Sequence, residues 1–177
     1  MRLATHNSGT GEKPANFFAR FFPFVAKCQD KTLAEQCEAG VELFDLRVRW
    51  YKGDCLIHHG LARYDTTLDE ALDIIDKKAK PLSVVMVTYE GSLNDYDTIA
   101  FKNFVNDRTS HYLNLRLGSI AVKKPVWEIL DVTKFQPNYI QNYPKLVGWK
   151  ALLPFPCIWH MWHKDIETES IVMLDFV

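Results

Sequence analysis

Between Pro81 and Glu90 the chain reads Pro-Leu-Ser-Val-Val-Met-Val-Thr-Tyr-Glu, and the middle of that run has no polar face to offer water. A strand of this kind is buried on both sides, as in a parallel sheet covered by helices. The rest of the chain supplies such a pattern. Arg2–Thr5 reads as a short strand that stops at His6 and a polar turn. Leu33–Cys37 reads as a short helix capped by Asp30 or Thr32 and ended by Gly40. Val41–Trp50 alternates as a strand, and Cys55–Gly60 forms a third that ends in two histidines and a glycine. Thr67–Ile75 is an amphipathic helix with Thr66 or Thr67 as its cap, and Asp97–Asn106 is a second helix. Further strands are expected around Tyr112–Leu115 and Val126–Val132, with a last buried strand over Ser170–Val177. Alternating strands and helices of this order predict an α/β barrel or doubly wound sheet.

Composition bounds the alternatives. The chain has 177 residues, 47% of them hydrophobic, which argues for one globular domain over 1–177 and against disorder. With 21 basic and 22 acidic side chains and no basic block, a dedicated nucleic-acid binder is not expected. No apolar stretch approaches the roughly 20 residues that span a bilayer. Met1 is followed within five residues by His6 and the polar Asn7-Ser8-Gly9-Thr10, which predicts a product without a signal peptide. It is then cytoplasmic as written, or released by another route. Cys28, Cys37, Cys55 and Cys157 show neither a redox pair nor zinc spacing and read as reduced, buried thiols, with a Cys28–Cys37 bridge as the alternative.

The strand at 41–50 carries an anomaly. Its alternation places Asp45, Arg47 and Arg49 on one face and apolar residues on the other. Three charges on a strand face are costly in a dry core and reasonable beside a polar cavity. The strand ends then deliver His6 and Asn7, Asp45 and Arg47, His58 and His59, and Asp175, with Glu90 as a fifth contributor. A lone histidine at a strand end is usually structural, and Asp45 with Arg47 alone reads equally well as an ion pair. Convergence at one mouth changes the weighting. Two imidazoles, an arginine and carboxylates are what phosphodiester cleavage requires: a base, an acid and a cation against the phosphoryl oxygens.

Several of these segments carry a family likeness. Ala4-Thr5-His6-Asn7-Ser8, Cys28-Gln29, Gln36 through Val48, Ile57-His58-His59-Gly60 and Leu68 through Leu72 resemble the X-domain of phosphatidylinositol-specific phospholipase C, small bacterial type. The likeness resumes at Val172–Phe176. It implies a distorted TIM barrel with its site at the C-terminal ends of the strands. A full barrel typically takes about 250 residues. At 177 residues the expectation is a compact, incomplete barrel with helices missing from its second half.

By the same resemblance, His6 matches the general base that deprotonates the inositol 2-hydroxyl, and His59 the general acid on the leaving oxygen. Asp175 matches the carboxylate that orients the base, while Asn7, His58 and Glu90 are expected at the substrate. The product would be a cyclic inositol phosphate, and the partner an inositol phospholipid at a membrane surface. Calcium-dependent members would place the ion on Asn7, Asp45 and Glu90, but their second carboxylate is replaced here by Arg47. Metal-independent members put an arginine there, so the resemblance implies a metal-free site with Arg47 held by Asp45 and Glu90. The later inositol-binding arginine has no match in Val126–Lys134, and the motifs of glycerophosphodiester phosphodiesterases are absent.

Phe17, Phe18, Phe21, Phe22 and Phe24 have two readings, a helix packed on the barrel or a lipid-facing rim. Trp149, Trp159 and Trp162 have the same two, and His160 and His163 beside them do not suffice for a metal site. A second function from another class is a binding or assembly module that kept the barrel and histidines but lost turnover.

Overall fold

The computed structural model describes residues 2–23, 27–120, 139–141 and 171–174. Strand β1 (Arg2–Thr5) is followed by a 3-10 turn (Ser8–Gly11), then helix α1 (Phe17–Phe21) and helix α2 (Leu33–Glu38). Strands β2 (Val41–Tyr51), β3 (Asp54–His59) and β4 (Ala62–Thr67) lead into helix α3 (Leu68–Lys78). Strand β5 (Ser83–Tyr89), helix α4 (Asp95–Thr109), and strands β6 (Leu115–Ile120), β7 (Tyr139–Gln141) and β8 (Ile171–Leu174) complete the order.

β5 is buried along its whole length, as its composition requires. It pairs in parallel with β2 on one side and β6 on the other. β2 also pairs in parallel with β1, which pairs with β8, which pairs with β7. Six parallel strands therefore curve in the order β7-β8-β1-β2-β5-β6. Among the described residues β6 and β7 do not pair, so the barrel is open between them.

The sequence reading needs three corrections. β3 is antiparallel to its neighbour: β2 outruns β1 and β5, and its last residues Val48–Tyr51 pair back onto β3. The reversal uses Lys52 and Gly53, both with positive φ, the geometry of a tight two-residue hairpin. β4 is an additional antiparallel strand on β3, in a segment for which the sequence suggested no strand. The strand expected near Tyr112 begins instead at Leu115. The Val126–Val132 strand lies outside the described residues.

Local signals explain the helices. Thr32 with Glu35, and Thr67 with Glu70, each form a capping box that satisfies two otherwise orphan amides. α3 buries Leu68, Ala71, Leu72 and Ile75, one stripe at helical spacing, against the outer face of the sheet. That face is built by Phe44, Leu46 and Val48 of β2 and by Val85 and Val87 of β5. α4 buries only Phe101 and Val105, and the Phe101 ring meets Tyr89 edge-on at 5.3 Å. Arg108 ties α4 to α3 through two nitrogens on Asp69. Cys28, Cys37 and Cys55 are buried thiols, so the Cys28–Cys37 bridge does not form. Burial pushes the Cys37 thiol up to about 11 and that of Cys55 to about 12. Cys157 lies outside the described residues.

Candidate active site

The site begins where β1 ends. Asn7 takes a left-handed backbone, φ 46° and ψ 49°, and caps the 3-10 turn. Asparagine tolerates this conformation better than most residues, and strain of this sort concentrates at functional sites. The turn is held by buried hydroxyls. Ser8 Oγ donates to the Thr5 carbonyl at 2.9 Å and accepts from the Asp45 amide at 2.9 Å. Thr10 Oγ1 donates to the Asn7 carbonyl at 2.8 Å and accepts from the amides of Cys28 and Gln29. Gln29 in turn donates to the His6 carbonyl at 3.0 Å. The end of β1 is thereby tied to β2 and to the loop before α2.

On this frame the side chains meet. Asp45, fully buried, accepts from the Asn7 amide at 3.2 Å and from Arg47 Nε at 3.3 Å, both at Oδ2. Arg47 Nη2 lies 2.9 Å from His6 Nε2, and Asp45 Oδ2 lies 4.0 Å from the same nitrogen. Asn7 Nδ2 stands 3.3 Å from three atoms: His6 Nε2, His59 Nε2 and Cys28 Sγ. A guanidinium has no lone pair, so His6 Nε2 is the acceptor of Arg47, and the neutral ring carries its proton on Nδ1. Burial lowers the proton affinity of Arg47, but Asp45, Glu90 and Cys28 outweigh it and leave the guanidinium above its ordinary pKa.

Five expected residues thus come together: His6, Asn7, Asp45, Arg47 and His59. His59 arrives at the end of β3, whose pairing with β4 slips in register between Leu56 and His58. Glu90 is buried and acts on Arg47 through space, without a hydrogen bond to it. His58 does not join the cluster. Burial pulls its pKa below the ordinary value against the opposing pull of Glu90, and Arg49, Arg63 and His59 add to the lowering. β8 pairs Leu174 with Thr5 at the end of β1, while Asp175 lies outside the described residues. Trp149, Trp159, Trp162, His160 and His163 lie outside them too. Cys28 has the contacts of a site residue. Its presence in the Cys28-Gln29 motif was the only sequence signal for it.

The expected calcium set retains oxygen donors. Asn7 Oδ1, Asp45 Oδ1 and Glu90 Oε2 are buried oxygens without a hydrogen-bond partner. The cation facing the carboxylates is Arg47, however, and it would repel a second one by roughly 4 kcal/mol per unit charge at 4 Å. Among the described residues no three His, Cys, Asp or Glu side chains are grouped to hold a metal. The residues do not fit a calcium ion beside Arg47.

The phenylalanines divide. Phe18 packs on the core, whereas Phe17 and Phe21 are 68% and 64% exposed and Phe22 is exposed beside them. Among the described residues the packing reading holds for Phe18, on which the Phe22 ring stacks at 5.5 Å, and Phe24 lies outside them. No helix among the described residues is long and apolar enough to cross a membrane.

No protein-family model matches the chain, and no curated protein matches it. Solved structures do. A mutant of the phosphatidylinositol-specific phospholipase C from Staphylococcus aureus aligns with a TM-score of 0.65 at 11% identity, over 99% of this chain and 84% of that one. The phosphatidylinositol-specific phospholipase C from Listeria monocytogenes aligns with a TM-score of 0.60 at 12% identity, over 99% of this chain and 87% of that one. With its parallel strands and its open side, the chain has the barrel-like fold of the bacterial phosphatidylinositol-specific phospholipases C.

Proposed function

We propose that the chain is a phosphodiesterase of the phosphatidylinositol phospholipase C kind, working by general acid–base catalysis without a metal. The observation that carries this reading is the cluster at the barrel mouth. One asparagine amide lies 3.3 Å from Nε2 of both His6 and His59, and a guanidinium lies 2.9 Å from the first.

The roles follow from the hydrogen-bond inventory. His6 Nε2, which accepts from Arg47 in this structure, removes the proton of the hydroxyl that attacks phosphorus once that contact is given up. Arg47 trades its contact with His6 for the phosphoryl oxygens and offsets their growing charge. Asp45 keeps the guanidinium aimed. His59 protonates the leaving oxygen, and the product is a cyclic inositol phosphate. In a second step water takes the place of the leaving group, and the histidines exchange roles. General acid–base catalysis of this sort contributes about 10²–10⁴-fold for each group. The resemblance assigns the orienting of His6 to Asp175, outside the described residues, and places Glu90 and His58 toward the headgroup. The exposed rings of Phe17, Phe21 and Phe22 suit insertion at a phospholipid interface, which would bring the mouth to its substrate.

A second reading is favoured by the mutual contact of these groups, which leaves His6 Nε2 already engaged. A binding module without turnover would bind inositol phosphate and release nothing. The deciding experiment follows ³¹P signals of phosphatidylinositol in mixed micelles with the wild type, His6→Ala and His59→Ala. The enzyme reading expects cyclic inositol phosphate from the wild type alone, unaffected by EDTA. Binding with no product at any enzyme concentration would establish the second reading.

A further inference from the structure

Cys28 lies on the loop before α2, almost fully buried, with its amide fixed to Thr10 Oγ1 at 2.9 Å. Thr10 also holds the Asn7 carbonyl, so one hydroxyl sets Cys28 and Asn7 relative to each other. The thiol sulfur is 3.3 Å from Asn7 Nδ2 and 4.0 Å from His59 Nδ1. The proposed chemistry leaves Cys28 without a part.

An imidazole that delivers a proton from Nε2 must have its Nδ1 end held, since the partner of one ring nitrogen fixes the tautomer and orientation of the other. Asn7 Nδ2 is a donor, so in neutral His59 the Nε2 facing it is the acceptor and the ring proton sits on Nδ1. The sulfur stands on that side of the ring. When Nε2 takes up the proton it is to deliver, it can no longer accept from Asn7 Nδ2, and the Nδ1–H remains directed at the sulfur.

We propose that Cys28 is a positioning residue for His59, its sulfur receiving the Nδ1–H of the imidazole and an N–H of Asn7, so that Nε2 of His59 is presented to the phosphodiester. The part played by His59 rests on the phosphodiesterase reading, whereas the fixing of its ring does not.

The test uses Cys28→Ala in the full chain with two readouts. The ¹⁵N shifts of His59 in histidine-labelled protein report the tautomer: the wild type is expected to hold the Nδ1–H form when neutral, and the variant a mixture. Turnover is then compared on inositol phosphodiesters with an alkyl and with a 4-nitrophenyl leaving group, the second needing no proton. Expected is a loss of about tenfold or more on the alkyl substrate, given the weight of general acid catalysis, with little change on the nitrophenyl one. Equal losses on both, or His59 shifts identical to the wild type, overturn the proposal. If Cys28→Ala does not fold, Cys28→Ser is expected to show the same split in smaller measure. A wild type that cleaves neither substrate defeats the phosphodiesterase reading, and the ¹⁵N shifts still decide whether Cys28 holds the ring.

Discussion

His6 Nε2 and Arg47 Nη2 are 2.9 Å apart, although 41 residues separate them in the chain. Arg47 also donates to Asp45, whose carboxylate has no exposure to water. Arg47→Ala removes the cation proposed to meet the phosphoryl oxygens and takes the guanidinium from that carboxylate. Turnover is expected to fall about 10²–10³-fold. Stability is expected to fall by about 3–5 kcal/mol, as when one partner of a buried ion pair is lost. Arg47→Lys restores charge without the planar fork and should recover little activity. Initial rates and thermal melts on the two variants check both parts.

Asn7 occupies a position that is left-handed and shared by both imidazoles. Asn7→Ala should cost roughly 1–2 kcal/mol from backbone strain alone. Asn7→Asp keeps the conformation but sets an anion beside both Nε2 atoms, which favours each imidazolium. A base that must be neutral then becomes active only at higher pH. The acid limb of the kcat/KM profile is therefore expected to move upward, and a profile that stays in place would count against His6 as the base.

The Phe17 and Phe21 rings lie tilted against each other, centroids 4.6 Å apart, on the exposed side of α1. Burying a phenylalanine side chain is worth about 1.5–3 kcal/mol. Phe17→Ser with Phe21→Ser should therefore weaken partitioning onto phosphatidylinositol vesicles roughly tenfold or more. Cleavage of a soluble inositol phosphodiester should not change. Vesicle sedimentation measured beside a soluble assay separates the two effects.

His58 offers a pH test that needs no substrate. Burial holds it below the ordinary histidine pKa, so near neutrality the folded state binds fewer protons than the unfolded one. Its contribution to stability is complete above about 6.5, the ordinary value. That contribution is lost as the pH falls through the lower folded value. Between pH 7 and 5 the Tm of the wild type should drop more steeply than that of His58→Asn, as differential scanning fluorimetry would register.

Gly11 sits where a Cβ would overlap the Lys31 carbonyl, a backbone atom with no rotamer to yield. Lys31 O already accepts from Gln36, which also donates to Ser8 O. Gly11→Ala must displace the loop that carries Cys28 and Gln29. A cost of about 1–3 kcal/mol is expected from overpacking, with turnover falling further than stability does. Melting and activity measured together distinguish this from a purely structural lesion.

The elements legible in the sequence are those whose signals are local. Thr32 with Glu35 and Thr67 with Glu70 announce their helices within four residues. The run at 83–89 announces a strand buried on both faces by composition alone. β4 escaped because Arg63 and Asp65 interrupt its apolar residues over a short span. The antiparallel course of β3 escaped because strand direction depends on which neighbour the strand meets.

The same division holds at the mouth of the barrel. The sequence by itself determined the inventory: two histidines at strand ends, an asparagine after the first, and a carboxylate and arginine two apart on one strand face. Only the tertiary structure decided how they are joined. β2 outruns its parallel neighbours and returns as a hairpin, bringing His59 to the Asn7 amide from the opposite direction to β1. The loop before α2 adds Cys28 to the same amide. Those meetings span 52 and 21 residues, distances over which no periodicity or capping rule operates. The buried hydroxyls of Ser8 and Thr10, satisfied only when the strand and loop ends lie side by side, hold them in place.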